Sequence, residues 1–404
     1  MSGFFYKCYN SICMIVASIG VGTDPDAFKA GAEACAQAVA DLPLGKADLL
    51  IVFGSISFDQ DKLINGVASI GGDALTIGCS TAGEISSEGF SSEKSVVIMA
   101  IASDQMKFWG GIGHHILWNP RLAGEECANT MEYDSRGYIS SCLVFLDILS
   151  GNGDLTLEGA LSKFGAKFPV YGGAAGDDLL FYETYQYLRN KAYNGSIVGA
   201  GLSGEYHVAG VATHGFLPIG IARTATRSLG TTLYELDGKP ASSIYEDYFG
   251  EEHLSELHEG LLPTLAVSYP LGVFMPESND VILRNPIFVD QKGSITFTAA
   301  IPEGAEIRLM ISDIERALEV AERAAKEVLR QLDGRRPKAV IIVNSISHKK
   351  MLGLSVDEEI QVIQRILGRE VPIAGYYSYA EIGGQMNDQL PFHNGSILIW
   401  ALAE

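Results

Sequence analysis

Two stretches of this sequence set glycine, hydroxyl and carboxylate groups at matching intervals. Gly78-Cys-Ser-Thr-Ala-Gly-Glu84-Ile85 and Gly375-Tyr-Tyr-Ser-Tyr-Ala-Glu381-Ile382 both fit G-x-x-[ST]-x-[GA]-E-I, and Pro169-Val-Tyr-Gly-Gly-Ala-Ala-Gly-Asp-Asp178 is a looser third. Backbone N–H groups at such a turn bind an anion, and the hydroxyls of Ser80, Thr81 and Ser378 add donors. The carboxylates of Glu84, Asp177 and Glu381 can receive an ammonium group, so the set suits a zwitterion such as an amino acid, with Tyr376 and Tyr377 as an aromatic wall. The glycines Gly78, Gly172, Gly173 and Gly375 also have a plainer use, since glycine permits positive φ and close approach of chains. The run Gly172 to Gly176 lacks the Lys-Ser/Thr of a phosphate loop, which leaves a nucleotide site with little support.

Other chemistry is sparser. Cys79 sits in the first turn, where a thiol activated by His214 or His393 would be a nucleophile. The matching position of the other turn is Tyr376, which cannot do that chemistry, and the expectation is therefore a protein that is not an enzyme. Cys8, Cys13, Cys35, Cys79, Cys127 and Cys142 form no C-x-x-C pair, and the eight histidines show no metal-ligand spacing. His253 and His258 lie in an acidic segment and read as solvated. His214 and His393 flank apolar runs beside glycine or asparagine, where a ring nitrogen fixes a turn. Either of them, or His348 after a strand, would suffice as the single imidazole of a haem iron.

These residues need elements to position them. A helix opened by Asp24-Pro25 carries Phe28, Ala32, Cys35, Val39 and Leu42 at helical spacing, and the apolar strand Asp48 to Gly54 follows. Near the other end Ser312 and Glu315 form a capping box, Ile314 to Leu332 carries an apolar stripe closed by Gly334, and the strand Lys338 to Asn344 follows. Each half then reaches its glycine-led turn and a last strand, Ser95 to Ala102 or Ser396 to Ala403. The fold class expected is α/β, with mixed α+β as the alternative: two related lobes with mixed sheets flanked by helices. An echo in the middle comprises Cys142 to Asp147, the turn after Pro169, and a strand over Tyr206 to Thr213. The stretch Ser228 to Pro263 reads as a connection between lobes, which gives domains 1–226 and 227–404. Ser11 to Gly22 reads as a first buried strand, with a signal peptide as the weaker alternative.

Composition narrows the function. With 49 acidic and 29 basic residues the formal net charge is −20; such a field repels nucleic acid and anionic membrane surfaces. Hydrophobic residues at 47% and charged residues at 19% supply ample core. No apolar run reaches the roughly 20 residues of a membrane span. Few cysteines point to a reducing compartment, and the expected location is cytoplasmic.

The same residues resemble the FIST family of prokaryotic sensory proteins over nearly the whole chain. The likeness lies in Asp48-Leu-Leu-Ile-Val-Phe, Ile77 to Glu84, Val170 to Asp177 and His214 to Gly220, then in Ile301 to Gly304, Arg308 to Met310, Pro372 to Ile382 and Phe392-His-Asn394. The resemblance implies a FIST N-like and a FIST C-like sensory domain, a small-molecule ligand with amino acids proposed, and output through a histidine kinase or other signalling protein in trans, as in two-component systems. One branch resembles haem proteins that sense nitric oxide. The region Ser345-Ile-Ser-His-Lys-Lys350 departs from the family pattern, which carries a Cys and an Arg-Gly-like sequence there.

Overall fold

The computed structural model describes residues 14–91, 94–250, 262–274, 281–384 and 391–404. Cys8, Cys13, His253, His258 and the start of the first expected strand lie outside these residues. The first unit runs β1 (Ile15–Gly22), α1 (Ala27–Ala40), β2 (Leu49–Ser55), α2 (Gln60–Gly71), β3 (Leu75–Thr81), a hairpin β4 (Glu84–Ser86) and β5 (Gly89–Ser91), then β6 (Val96–Ser103). The second repeats that order with β7 (Met106–Gly113), α3 (Pro120–Ser135), β8 (Ser141–Leu146), α4 (Gly153–Phe164), β9 (Val170–Ala174), the hairpin β10 (Gln186–Leu188) and β11 (Lys191–Tyr193), and β12 (Ile197–Gly204). The third begins with β13 (His207–Thr213) and is interrupted by a long insertion. That insertion comprises β14 (Leu217–Leu229), β15 (Thr232–Leu236), β16 (Lys239–Pro240), α5 (Ser243–Phe249), α6 (Leu262–Ser268), β17 (Leu271–Phe274), β18 (Val281–Arg284), β19 (Pro286–Val289), β20 (Ile295–Phe297) and β21 (Glu306–Ile311). The third unit then resumes with α7 (Ile314–Gln331), β22 (Pro337–Ser345), α8 (Ile346–Leu352), α9 (Val356–Leu367), β23 (Ile373–Ser378), the pair β24 (Glu381–Ile382) and β25 (Phe392–His393), and β26 (Ile397–Ala403).

The related units are thus three, and the middle echo is an equal member. Their sheets are ordered β1-β6-β2-β3-β10-β11, β7-β12-β8-β9-β24-β25 and β13-β26-β22-β23-β4-β5. In each, the second and third strands of the unit pair in parallel and the fourth is antiparallel to its neighbours. Each sheet is completed by a hairpin from another unit. The first unit lends its hairpin to the third, the third to the second, and the second to the first.

The sheets face a shared core drawn from all three units. Phe53, Phe145 and Tyr376 meet there, with ring centroids 4.7 to 6.1 Å apart. Strand register matches Phe53 to Cys79, Phe145 to Gly173 and Val343 to Tyr376. Large faces small in every unit, but the large side chain changes strand in the third. The second lobe is the insertion, an antiparallel eight-stranded sheet with its own core of Leu233, Tyr245, Leu271, Phe297 and Ile307 among others. The stretch expected to connect lobes builds β15, β16 and α5 instead, and the boundary expected at residue 226 falls inside β14. Tyr245, read as part of a polar linker, is fully buried and donates to Tyr269 O at 3.0 Å.

Two expected caps shift by a residue or two. Asp26 caps α1, while Asp24 accepts the Asp26 N–H at 2.8 Å and shapes the turn before it. Asp313 caps α7, because the Ser312 hydroxyl donates to Gly215 O instead.

The glycine that leads each turn sits inside a parallel strand. A Cβ at Gly78, Gly172 or Gly375 would lie 1.9, 1.9 or 2.1 Å from the carbonyl oxygen of Val52, Val144 or Ile342. Gly172→Ala is expected to cost at least about 3 kcal/mol in denaturant unfolding. Gly137→Ala, at positive φ with open space around it, is expected to cost about 1–2 kcal/mol; equal losses would remove close approach as the cause.

Candidate functional site

The hairpin exchange brings the three turns into contact. Ala82 N donates to Tyr377 O and Tyr377 N to Gly83 O, which joins the first turn to the third. Gly176 N donates to Ser80 O and the Ser80 hydroxyl to Gly176 O, which joins the first to the second. Ala174 N donates to Ala380 O at 2.8 Å, which joins the second to the third. The expected meeting of Gly78–Glu84 with Gly375–Glu381 therefore occurs, but their polar groups are used on one another. Cys79, Ser80, Thr81, Glu84, Tyr376, Tyr377, Ser378 and Glu381 are buried at 1% exposure or less.

Each acid has local donors. Glu84 accepts from Thr81 Oγ1 and, at 2.5 Å, from Ser95 Oγ. Glu381 accepts from Ser378 Oγ at 2.7 Å and Ser396 N at 3.0 Å. Asp177 accepts the N–H groups of Phe181, Tyr182 and Glu183 at 3.1, 2.7 and 3.1 Å, and the hydroxyl of Tyr379. Tyr379, Ser95 and Ser396 were not expected as partners; Ser95 and Ser396 share one position, just before the last strand of a unit. Burial pushes Glu84 and Glu381 up to about 8 against the pull of these hydrogen bonds. Burial thus favours the protonated form of Glu84 and Glu381, each of which closes its own hairpin through these hydrogen bonds. Tyr376 is no open aromatic wall: it stacks on Phe53 at 4.7 Å, and its hydroxyl fills the space over Gly173. Cys79 is fully buried, and burial raises its thiol well above the ordinary value, the reverse of an activated nucleophile.

The three candidate histidines do not fit a haem. His214 spends Nε2 on Val281 O and Nδ1 on the Phe216 N–H, both at 3.3 Å. His393 spends Nε2 on Gly383 O at 2.9 Å, and burial lowers it to about 4. His348 has its Nδ1 on Glu359 at 2.9 Å and is fully buried in packed protein, leaving no room for a macrocycle at Nε2.

Space for a ligand lies just outside the turns. A cleft of about 320 Å3 opens at the carboxyl ends of β2 and β9, where α/β sheets commonly take ligands. Its first wall is Ile56 to Asp61, the loop between β2 and α2 with the start of that helix; its second is the 177–185 loop of the next unit. Asp177 is the one expected ligand residue that lines it. Its other working side chains are Phe58, Asp61, Tyr182, Glu183 and Tyr185, with Tyr185 donating to Glu183 at 2.7 Å. No sequence signal marked them, because each wall belongs to a different unit and neither carries a repeated motif.

Ionisation of the buried turns has a measurable sign. Between the ordinary carboxyl range and about 8 the folded chain holds protons that the unfolded chain has released, so stability falls as pH rises through that window and levels above it. Between pH 6.5 and 8, above the range where His393 titrates, wild type is expected to lose up to about 1.4 kcal/mol per pH unit per carboxyl. The Glu84→Gln/Glu381→Gln pair is expected to flatten that slope in urea titrations; an unchanged slope would place the acids in a solvated setting.

Comparison with known proteins adds the following. The FIST N domain family matches residues 48–239 and the FIST C domain family residues 241–384. The uncharacterized protein Rv0628c of Mycobacterium tuberculosis is 24% identical over 374 residues, spanning 90% of this chain and 94% of that one. The uncharacterized protein MJ1623 of Methanocaldococcus jannaschii is 26% identical over 389 residues, spanning 87% of this chain and 72% of that one. Among solved structures, a cyanuric acid hydrolase from A. caulinodans aligns at 9% identity and TM-score 0.34, covering 96% of this chain and 99% of that one. A second structure, titled as a cyanuric acid hydrolase arising by structural concatenation, aligns at 7% identity and TM-score 0.41, covering 97% and 100%.

Proposed function

The chain belongs to the FIST family, whose domains are sensors in signal transduction, and from that premise we propose that it binds a small amine-bearing molecule, an amino acid or a close relative, in the cleft between α2 and the 177–185 loop. The observation that supports this reading most is the composition of that cleft. It sets the carboxylates of Asp61 and Glu183 beside the aromatic rings of Phe58, Tyr182 and Tyr185, over a floor pinned by Asp177. Carboxylates receive an ammonium group, and ring faces favour a cation further. Lys94 Nζ already lies 4.1 Å from the centre of the Phe58 ring.

The walls come from different units, so a guest would tie them together. The 177–185 loop continues into β10, which completes the sheet of the first unit. A ligand preferring one setting of this loop shifts the population toward it, and a separate signalling protein, such as a histidine kinase, reads the change. On this reading the chain binds without turnover. No helix among the described residues is long and apolar enough to cross a membrane.

Thermal unfolding with single amino acids and small amines at millimolar concentration checks this. At 100 times Kd a ligand is expected to add about 2.7 kcal/mol of stability. Asp61→Asn/Glu183→Gln is expected to abolish the shift and leave the ligand-free melting temperature unchanged. Absence of stabilisation by any amine, or a shift that survives both substitutions, would overturn the cleft assignment.

A further inference from the structure

A second concavity lies at the other end of the body. A groove of about 660 Å3 runs between the first and third sheets, beside the amino ends of β1, β22 and β23. Ala17, near its start, is level with Leu49 at the beginning of β2, since both lie opposite Ile101 of β6. The ligand cleft opens beyond Ser55, past the opposite end of β2. The two concavities therefore face away from each other along the strands.

Three features define what the groove would hold. Its walls are mostly apolar, with Val16, Leu329 and Ile366 among the lining and Glu370 as the one acid there against three basic residues. One wall is β1, the edge strand of its sheet, so an extended segment can lie against it. Its rim carries Arg335, Arg336 and Lys338, a basic cluster on a chain of net charge −20. The structure also shows a carboxylate using this chemistry. The side chain of Glu404 accepts the Ile15 N–H of the edge strand and lies 3.1 Å from Lys338 Nζ. Arg335 leans on Asp333 at 3.8 Å, a contact with an almost fully exposed acid that another carboxylate can replace. Arg336 is exposed.

We propose that this groove docks an extended acidic segment with alternating apolar side chains, supplied by a separate protein. The apolar side chains fill the groove, the main chain follows β1, and the carboxylates meet Arg335, Arg336 and Lys338. The groove shares no lining residue with the ligand cleft, so either assignment can fail alone.

Binding of a short synthetic peptide alternating glutamate and valine to the full chain tests it, with a lysine–valine peptide as control. The glutamate peptide is expected to bind and to weaken as salt rises. Arg336→Glu is expected to weaken it by at least about tenfold with an unchanged melting temperature. Arg335→Ser provides a milder second variant with the same expected direction. Failure of both peptides to bind, equal binding of both, or indifference to both substitutions would overturn the proposal. So would binding only in a Phe4→Ser/Phe5→Ser chain, which would make the chain's own first residues the occupant. A dimer in sedimentation that Arg336→Glu dissolves would assign the groove to a second copy and overturn it equally. Amine-induced stabilisation of Arg336→Glu, measured alongside, reports on the ligand cleft separately.

Discussion

The organisation of the body follows from one constraint: no unit completes its own sheet. Each leaves the outer edge of its third strand open and closes the corresponding edge of another unit, in a cycle of three. An open edge exposes a row of unpaired backbone groups, and pairing them with a neighbour satisfies them while fixing where the neighbour sits. The glycine-led turns lie where the chain leaves its own sheet for the next. That explains why they are buried, why they touch, and why their hydroxyls and acids serve one another. It also explains why the cleft proposed for a ligand lies outside them, where two units approach without fully closing.

Much of the body is legible in the sequence because its inner strands are buried on both faces. Runs such as Leu49 to Phe53 and Val340 to Val343 are apolar throughout, and the helices between them carry apolar residues on one face. The hairpin exchange is not legible. β4 and β24 are three and two residues long and pair with strands hundreds of residues away, and no local pattern encodes that partner. The second lobe was hidden for a different reason. Apart from β14 its strands are short and partly polar, so Ser228 to Pro263 has the composition of a linker although Tyr245 lies in a core.

The turns meet in the structure, but their polar groups are largely spent on one another. Hydroxyls three residues before an acid, as in Thr81 with Glu84 and Ser378 with Glu381, are what a zwitterion pocket would need. They are equally what a buried hairpin needs when its carboxyl group must find donors without water. Sequence cannot separate these uses, because the difference lies in whether solvent reaches the acid. Cys79 presents the same ambiguity in the sequence; in the structure it is buried opposite Phe53.

The insertion enters and leaves the third unit at one place, since Leu217 at its entrance pairs with Ile311 at its exit. Its attachment to the body includes a few polar links, such as Arg284 with Asp154 at 3.4 Å and Thr298 with Asn394 at 2.8 Å. A module so rooted is a cassette on a single stem. None of its strands enters the three sheets of the body, so its outer face can change while that frame stays fixed, although Val267 and Ala299 still pack into the body's core.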